Sequence, residues 1–305
     1  MSSELKTTFI SRSSIQFQYP VSSHHHHSLL NMVLFPNCKI NLGLTIIRKR
    51  ADGYHDLETV FYPVGLRDAV EVIKSSDVNR ESSVEFSLSG LPVLGEAADN
   101  LCVKAYHLLK KDFPELPSVQ IHLHKTIPMG AGLGGGSADG TFTLKLLNHI
   151  CQLNLSDHQL IGYALQLGSD CPFFITNKPC FATGRGGIMR EITLDLSKYT
   201  FLIVNPGIHI STTHAFSQIA PGKSQQSIQE IIQQPVHLWK DQLLNDFEIG
   251  VSKLHPEIAQ IKEQLYAKGA VYASMTGSGS AVYGLFEQEN QTKFSFDPPY
   301  LVYKI

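Results

Sequence analysis

The stretch Lys125–Gly140, KTIPMGAGLGGGSADG, carries six glycines between a strand-like run and a helix-like one. Backbone so free of side chains lets another group come close. At a helix N-terminus the first N–H groups lack intrahelical partners and the dipole is positive, so the junction suits an anion. Gly130, Gly132, Gly134, Gly135 and Gly136 lead to Ser137, which is placed to N-cap the helix. The plain alternative is a tight loop packed against another element. The Walker pattern is absent because no lysine precedes Ser137. A dinucleotide fingerprint forced onto Gly130, Gly132 and Gly135 lacks a convincing βαβ unit and acidic residue. The loop is therefore read as a phosphate cradle of another kind.

Around it, period-two alternation predicts strands in NCKINLGLTII (Ile40, Leu42 and Leu44 opposite Lys39, Asn41 and Gly43), VEFSLSG and VQIHLHKTI. NLCVKAYHLLKKD reads as a helix. After the glycines, Ala138, Phe142, Leu146 and Ile150, widened by Leu147, form an amphipathic helical stripe. A second helix opens on the capping box Ser156–Gln159 and closes at Gly168. SDCPFFIT is expected to lead into an apolar strand. Past about Glu191, YTFLIVNPG reads as a strand and HPEIAQIKEQLYAKG as a helix stopped by Gly269. AVYASMTGSGSAVYGLF reads as two strands about a Gly/Ser turn. The mixture predicts a two-lobed α+β protein, with residues 1–31 a flexible leader, 32–190 a first domain and 191–305 a second.

The 305-residue chain is 43% hydrophobic and 17% charged, too apolar for disorder. A net charge of −2 gives no basic field for nucleic acid. No apolar run approaches the roughly eighteen residues of a membrane span. Five scattered cysteines lack disulfide or zinc spacing and fit a reducing cytoplasm. The Ser-rich leader contains His24 to His27, read as an unstructured tract rather than a metal site. A small-molecule ligand is the expectation.

PMGAGLGGGSADG resembles the second motif of the galactose/homoserine/mevalonate/phosphomevalonate kinase superfamily. FPNCKINLGL and MTGSGSAVYGLF are similar to its other two motifs, in order and position. KRADGYHDLETVF, LGSDCPFF and NDFE resemble the branch whose acceptor is a methylerythritol joined by a diphosphate to cytidine. The resemblance spans Met32 to about Phe286. It implies an N-terminal lobe like the second domain of ribosomal protein S5 and a ferredoxin-like C-terminal lobe. It also implies ATP-dependent phosphorylation of the acceptor's 2-hydroxyl, within a non-mevalonate route to isoprenoid precursors. The cofactors implied are ATP and Mg2+, the latter with ligands the sequence does not reveal. The implied assembly is a cytoplasmic monomer or weak homodimer.

The same resemblance distributes roles over this chain. Asp170 is the candidate base and Lys39 the cation beside it, with Asn41 sharing the lysine's face. Pro128, Met129, Gly130, Ala131, Gly132, Leu133, Gly134, Gly135, Gly136, Ser137 and Ala138 form the nucleotide loop, and Asn100 lies beside the adenosine. Tyr54 and His55 are expected at the cytosine, with Thr212 and Phe216 as a hydrogen-bond partner and opposing aromatic. Gly277, Ser278 and Gly279 bring the C-terminal lobe to the substrate phosphates. Two departures stand out. Ala138 replaces a frequent second hydroxyl, and Gly140 is a poor helix former, costing about 1 kcal/mol relative to Ala. The rival readings are a kinase for another alcohol, such as homoserine or mevalonate, and a non-catalytic nucleotide sensor. DGYH and the short chain argue against the first, and retention of Asp170 and Lys39 argues against the second.

Overall fold

A computed structural model describes residues 32–75, 84–217, 219, 226–288, 295–296 and 300–305. The leader, with its histidine tract, lies outside the described residues. Among the described residues, three four-stranded sheets organise the chain. The first comprises β1 (Met32–Leu34), β4 (Ala69–Lys74), β5 (Val84–Gly90) and β6 (Val119–Lys125), in the order β1-β4-β6-β5. The second is built on a hairpin of two 13-residue strands, β2 (Asn37–Lys49) and β3 (His55–Arg67). It continues through β7 (Cys180–Thr183) and β8 (Ile188–Glu191).

The helices of this half are α1 (Leu101–Asp112), α2 (Gly135–Ile150), α3 (Asp157–Leu167) and α4 (Phe173–Thr176). They follow the sequence cues with two corrections. Helix α3 has the complete Ser156–Gln159 capping box. Helix α2, however, starts two residues ahead of Ser137. Gly134 takes its N-cap position at φ +70°, a left-handed conformation that glycine adopts without strain. The first intrahelical bond runs from Ala138 N–H to Gly134 O at 3.0 Å, so the N–H groups of Gly135, Gly136 and Ser137 precede it. The second correction is α4, a single helical turn where an apolar strand was expected. Thr141 Oγ1 donates to Cys171 O at 3.0 Å, and Lys145 Nζ donates to Phe174 O and Ile175 O at 2.8 Å each. These bonds from α2 satisfy carbonyls that a strand would have given to a sheet partner.

The third sheet contains β9 (Tyr199–Asn205), β10 (Tyr272–Met275), β11 (Val282–Glu287) and β12 (Leu301–Lys304), ordered β10-β11-β9-β12 with every pair antiparallel. This is the ferredoxin-like order. Helices α5 (Thr212–Ser217), α6 (Ile228–Ile231), α7 (Asp246–Leu254) and α8 (Pro256–Ala267) lie between β9 and β10. Ile258, Ile261 and Leu265 of α8 share a fully buried cluster with Met275, Val282 and Phe286. One core joins the halves, since Cys38, Ile40 and Leu42 of β2 pack in the same cluster as Ile203, Tyr283 and Leu285. Among the described residues no helix is long and apolar enough to cross a membrane.

Beneath the start of α2 lies a charge cluster that the sequence did not announce. Lys125, at the end of β6, pairs with Asp68 and, at 2.7 Å, with Asp139 of α2; all three side chains are buried. Asp68 Oδ1 also accepts from the backbone N–H of Ile127 at 2.8 Å. Among the described residues, Asp139 Oδ1 is buried without a hydrogen-bond partner. Burial works against charge on Lys125, but the two carboxylates outweigh it and raise its pKa. For Asp139, burial dominates over the attraction of Lys125, and its pKa is pushed up to about 8. Two carboxylates facing one ammonium make Asp139 the member that takes a proton.

Gly140 also has its explanation. A Cβ there would stand 2.7 Å from Leu101 Cβ and 3.2 Å from Leu101 O, where α1 crosses α2. Gly140→Ala is therefore expected to destabilise the chain by about 1–3 kcal/mol in urea unfolding, the range for overpacking. A gain near the 1 kcal/mol of helix propensity would contradict this reading.

For Asp139, the folded state retains a proton that the unfolded chain releases above about pH 4. Its contribution to stability is complete below that pH and is lost as pH rises through about 8. The urea midpoint of Asp139→Asn should accordingly fall less between pH 5 and 8 than that of the unaltered protein. Parallel declines would remove Asp139 as the titrating group.

Candidate functional site

The glycine loop is enclosed by β2 on one side and by the β10–β11 turn on the other. Gly130, Gly132 and Gly134 have φ of +65°, +77° and +70°. Close packing accounts for much of their glycine character. A Cβ at Gly132 would stand 2.0 Å from Thr276 O, and one at Gly134 would stand 3.0 Å from Lys39 Cγ. One at Gly130 would meet His209 Nδ1 at 2.7 Å. Gly136 is different, with nothing within 4 Å of its Cβ position. That open side lies next to the leading N–H groups of α2. Within the loop, Pro128, Ala131, Leu133 and Ala138 are buried, whereas Met129 is exposed. Two backbone bonds hold it, Lys39 N–H to Leu133 O at 2.9 Å and Ala281 N–H to Ala131 O at 3.2 Å.

Lys39, alternating away from Ile40, still ends up buried, because the loop and α4 cover its face of β2. Its ammonium donates to Asn41 Oδ1 at 2.6 Å and lies 3.4 Å from Asp170 Oδ2. It also sits 4.7 Å above the Phe61 ring. The Lys39 side chain is 4% exposed and that of Asp170 33%, so the pair has one dry end and one open to solvent. Asp170 falls in the turn between α3 and α4, held by Cys171 N–H to Gly168 O and by the Thr141 bond to Cys171 O. Asn41 is itself fixed. Its Nδ2 donates to Thr59 Oγ1 at 3.0 Å, and its backbone N–H donates to Thr276 Oγ1 at 3.0 Å. Thr276 Oγ1 lies 3.1 Å from Gly132 O, so one threonine ties β2, the glycine loop and the late turn together.

That late turn is positioned from the C-terminal half. A Cβ at Gly277 (φ +58°) would stand 3.2 Å from Gly132 Cα and 3.5 Å from Asn41 Oδ1. Gly279 packs against Ile210 and Met275. Asn245, buried at the start of α7, donates to Met275 O at 2.8 Å and to Gly277 O at 2.9 Å. Ser278 Oγ is 3.3 Å from Thr212 Oγ1.

The residues expected at the cytosine gather at the far end of the β2–β3 hairpin, in a different pairing from the expected one. His55 and Phe216 stack directly on each other, with centroids 4.9 Å apart and 16° between planes. This spacing leaves no room for a base between them. Tyr54, half exposed, instead lies beneath the Arg185 guanidinium, 3.4 Å from its ring centroid. Asn100 N-caps α1, its Oδ1 accepting from Cys102 N–H at 2.9 Å.

The sequence reading missed Thr59, Thr276 and Asn245, which orient the others, as well as Arg185. Thr276 and Asn245 lay within the quoted stretches MTGSGSAVYGLF and NDFE without being given a role. Among the described residues no group of three His, Cys, Asp or Glu side chains could hold a metal ion.

Residues 100–178 match the N-terminal domain of the GHMP kinases, and residues 227–294 match their C-terminal domain. A 4-diphosphocytidyl-2-C-methyl-D-erythritol kinase from Bacteroides thetaiotaomicron is 55% identical over 258 residues, 85% of this chain and 93% of that protein. One from Cytophaga hutchinsonii is 44% identical over 262 residues, 86% and 94% of the two chains. A crystal structure of 4-(cytidine 5'-diphospho)-2C-methyl-D-erythritol kinase superposes with a TM-score of 0.72 at 29% identity, covering 83% of this chain and 90% of that one. The mevalonate kinase of Methanococcus jannaschii shares the fold at 15% identity, with a TM-score of 0.66 over 92% of this chain and 98% of its own. With three motifs meeting at one Lys–Asp pair and relatives aligned over nearly their whole length, the chain belongs to the 4-diphosphocytidyl-2-C-methyl-D-erythritol kinase family of GHMP kinases.

Proposed function

We propose that this protein transfers the γ-phosphoryl group of ATP to the 2-hydroxyl of 4-diphosphocytidyl-2-C-methyl-D-erythritol. The observation that carries the reading is the Lys39–Asp170 pair, 3.4 Å apart, set between the glycine loop and the β10–β11 turn. Phosphoryl transfer needs an in-line acceptor, a group to take its proton, and positive charge on the transferring oxygens. ATP's phosphates lie on the N–H groups opening α2, reached through the open side of Gly136. The solvent-facing carboxylate of Asp170 receives the proton of the acceptor hydroxyl. Lys39, held in place by Asn41 and Phe61, faces the charge that develops on the transferring group.

A Mg2+ ion bound with ATP would neutralise part of the charge on its phosphates. Ser137 is the loop hydroxyl that would help hold such an ion, which usually keeps phosphate and water ligands. On the acceptor side, Tyr54 supplies the ring for cytosine to stack on. The His55–Phe216 pair closes the same end of the site, with Thr212 and Ser278 at the turn that faces the phosphates.

A product assay with Mg-ATP and three acceptors offered separately tests the assignment. Mass spectrometry should find a phosphoryl group added to 4-diphosphocytidyl-2-C-methyl-D-erythritol and to neither homoserine nor mevalonate. Asp170→Asn should lower that turnover by about two to four decades with ATP binding nearly intact, the range for a positioned acid–base group. Turnover left at the original level would remove Asp170 from the chemistry. Tyr54→Ala should raise the KM of the acceptor alone; an equal rise for ATP would contradict its place at the cytosine.

A further inference from the structure

Arg185 occupies the tip of the β7–β8 turn, between Gly184 (φ +66°) and Gly186 (φ +94°). Backbone bonds fix the turn, from Leu57 N–H to Gly184 O at 2.7 Å and from Gly186 N–H to Thr183 O at 3.1 Å. The turn reaches both ends of the proposed acceptor site. At Gly186 a Cβ would stand 4.0 Å from Asp170 Oδ1 and 3.8 Å from Phe61 Cζ. One residue earlier, the Arg185 guanidinium rests 3.4 Å from the Tyr54 ring centroid.

The other arginines at this end are committed to carboxylates. Arg48 donates to Asp56 at 2.6 Å, and Arg50 bonds both Asp52 and Asp56 at 3.0 Å. Lys39 is paired with Asp170. Arg185 makes no ion pair among the described residues, although its side chain is exposed and held over an aromatic face. Stacking engages only the face of a guanidinium. Its N–H donors project from the edge in a fork that matches phosphate oxygens.

We propose that Arg185 binds the diphosphate linking the acceptor's cytidine to its methylerythritol, spanning the gap between Tyr54 and Asp170. The inference rests on the acceptor reading given above and adds a residue to it. An acceptor stretched from a nucleobase at Tyr54 to a hydroxyl at Asp170 must carry its diphosphate past the turn that touches both. Arg185 takes no part in the proton transfer; it positions the substrate.

Cytidine and CDP, titrated into the full-length protein and its Arg185 variants by calorimetry, separate this role from a structural one. Arg185→Gln should weaken CDP binding by about 10- to 100-fold, the range for losing charge-assisted hydrogen bonds, and change cytidine binding less than about twofold. Arg185→Lys, which retains charge without the fork, should recover part of the CDP loss. In turnover, Arg185→Gln should raise the acceptor's KM with kcat and the KM of ATP unchanged. Equal losses for cytidine and CDP would show that Arg185 only props Tyr54 and would overturn the proposal, while phosphorylation by the unaltered protein would keep the kinase reading standing. An unaltered protein that binds CDP no tighter than cytidine would overturn it as well. Binding of neither ligand would overturn the acceptor reading together with the proposal.

Discussion

A lysine ammonium withdrawn from water sets the terms for everything around it. Lys39 sits on a strand whose two faces are both covered, and an uncompensated charge there would cost several kcal/mol. Three contacts meet that cost: the Asn41 carbonyl, the Asp170 carboxylate and the Phe61 ring. Each imposes a requirement on a distant part of the chain. Asn41 must be oriented by Thr59 and supported by Thr276, which comes from the other half of the molecule. Asp170 must be presented by a turn locked to α2. Gly134 must lack a side chain, because Lys39 runs beside it.

The glycine loop divides its work for the same reason. Gly132 and Gly134 are small so that the late turn and the lysine can approach, whereas Gly136 stands open. The single stretch thus joins the packing of the two halves to the surface proposed above for ATP's phosphates. Asn245 and Thr276 hold the C-terminal contribution in register with it. A second buried lysine, Lys125, ties the end of β6 to α2 behind the loop, so charges brace it front and back.

Much of this was legible in the chain because the responsible signals are local. Alternation located β2, β5 and β6, the Ser156–Gln159 box opened α3, and Gly269 closed α8. What escaped was set by tertiary contact. CPFFI is too short an apolar run to declare its period, and its helical turn is braced by the bonds from Thr141 and Lys145. Ser137 looked like a cap because glycine at 134, which needs no side chain to open a helix there, carries no hydroxyl signal. Asp68 and Asp139 lie 71 residues apart, so nothing in either neighbourhood could reveal that they share a lysine. Arg185 is likewise ordinary in a Gly-rich turn until the fold lays it on Tyr54. The gathering of Lys39, Asp170 and the two glycine turns was visible only through their likeness to a family, and the direct stacking of His55 on Phe216 was not visible at all.

The central claim is that phosphoryl transfer takes place where Lys39 meets Asp170, with ATP on the glycine loop and the acceptor arriving from the Tyr54 side. A crystal structure with a non-hydrolysable ATP analogue and 4-diphosphocytidyl-2-C-methyl-D-erythritol tests it most directly. The terminal phosphate should lie beside Lys39, with the acceptor's 2-hydroxyl within about 2.6–3.2 Å of an Asp170 oxygen. An acceptor hydroxyl held elsewhere, with Asp170 facing only Lys39 and solvent, would contradict the account.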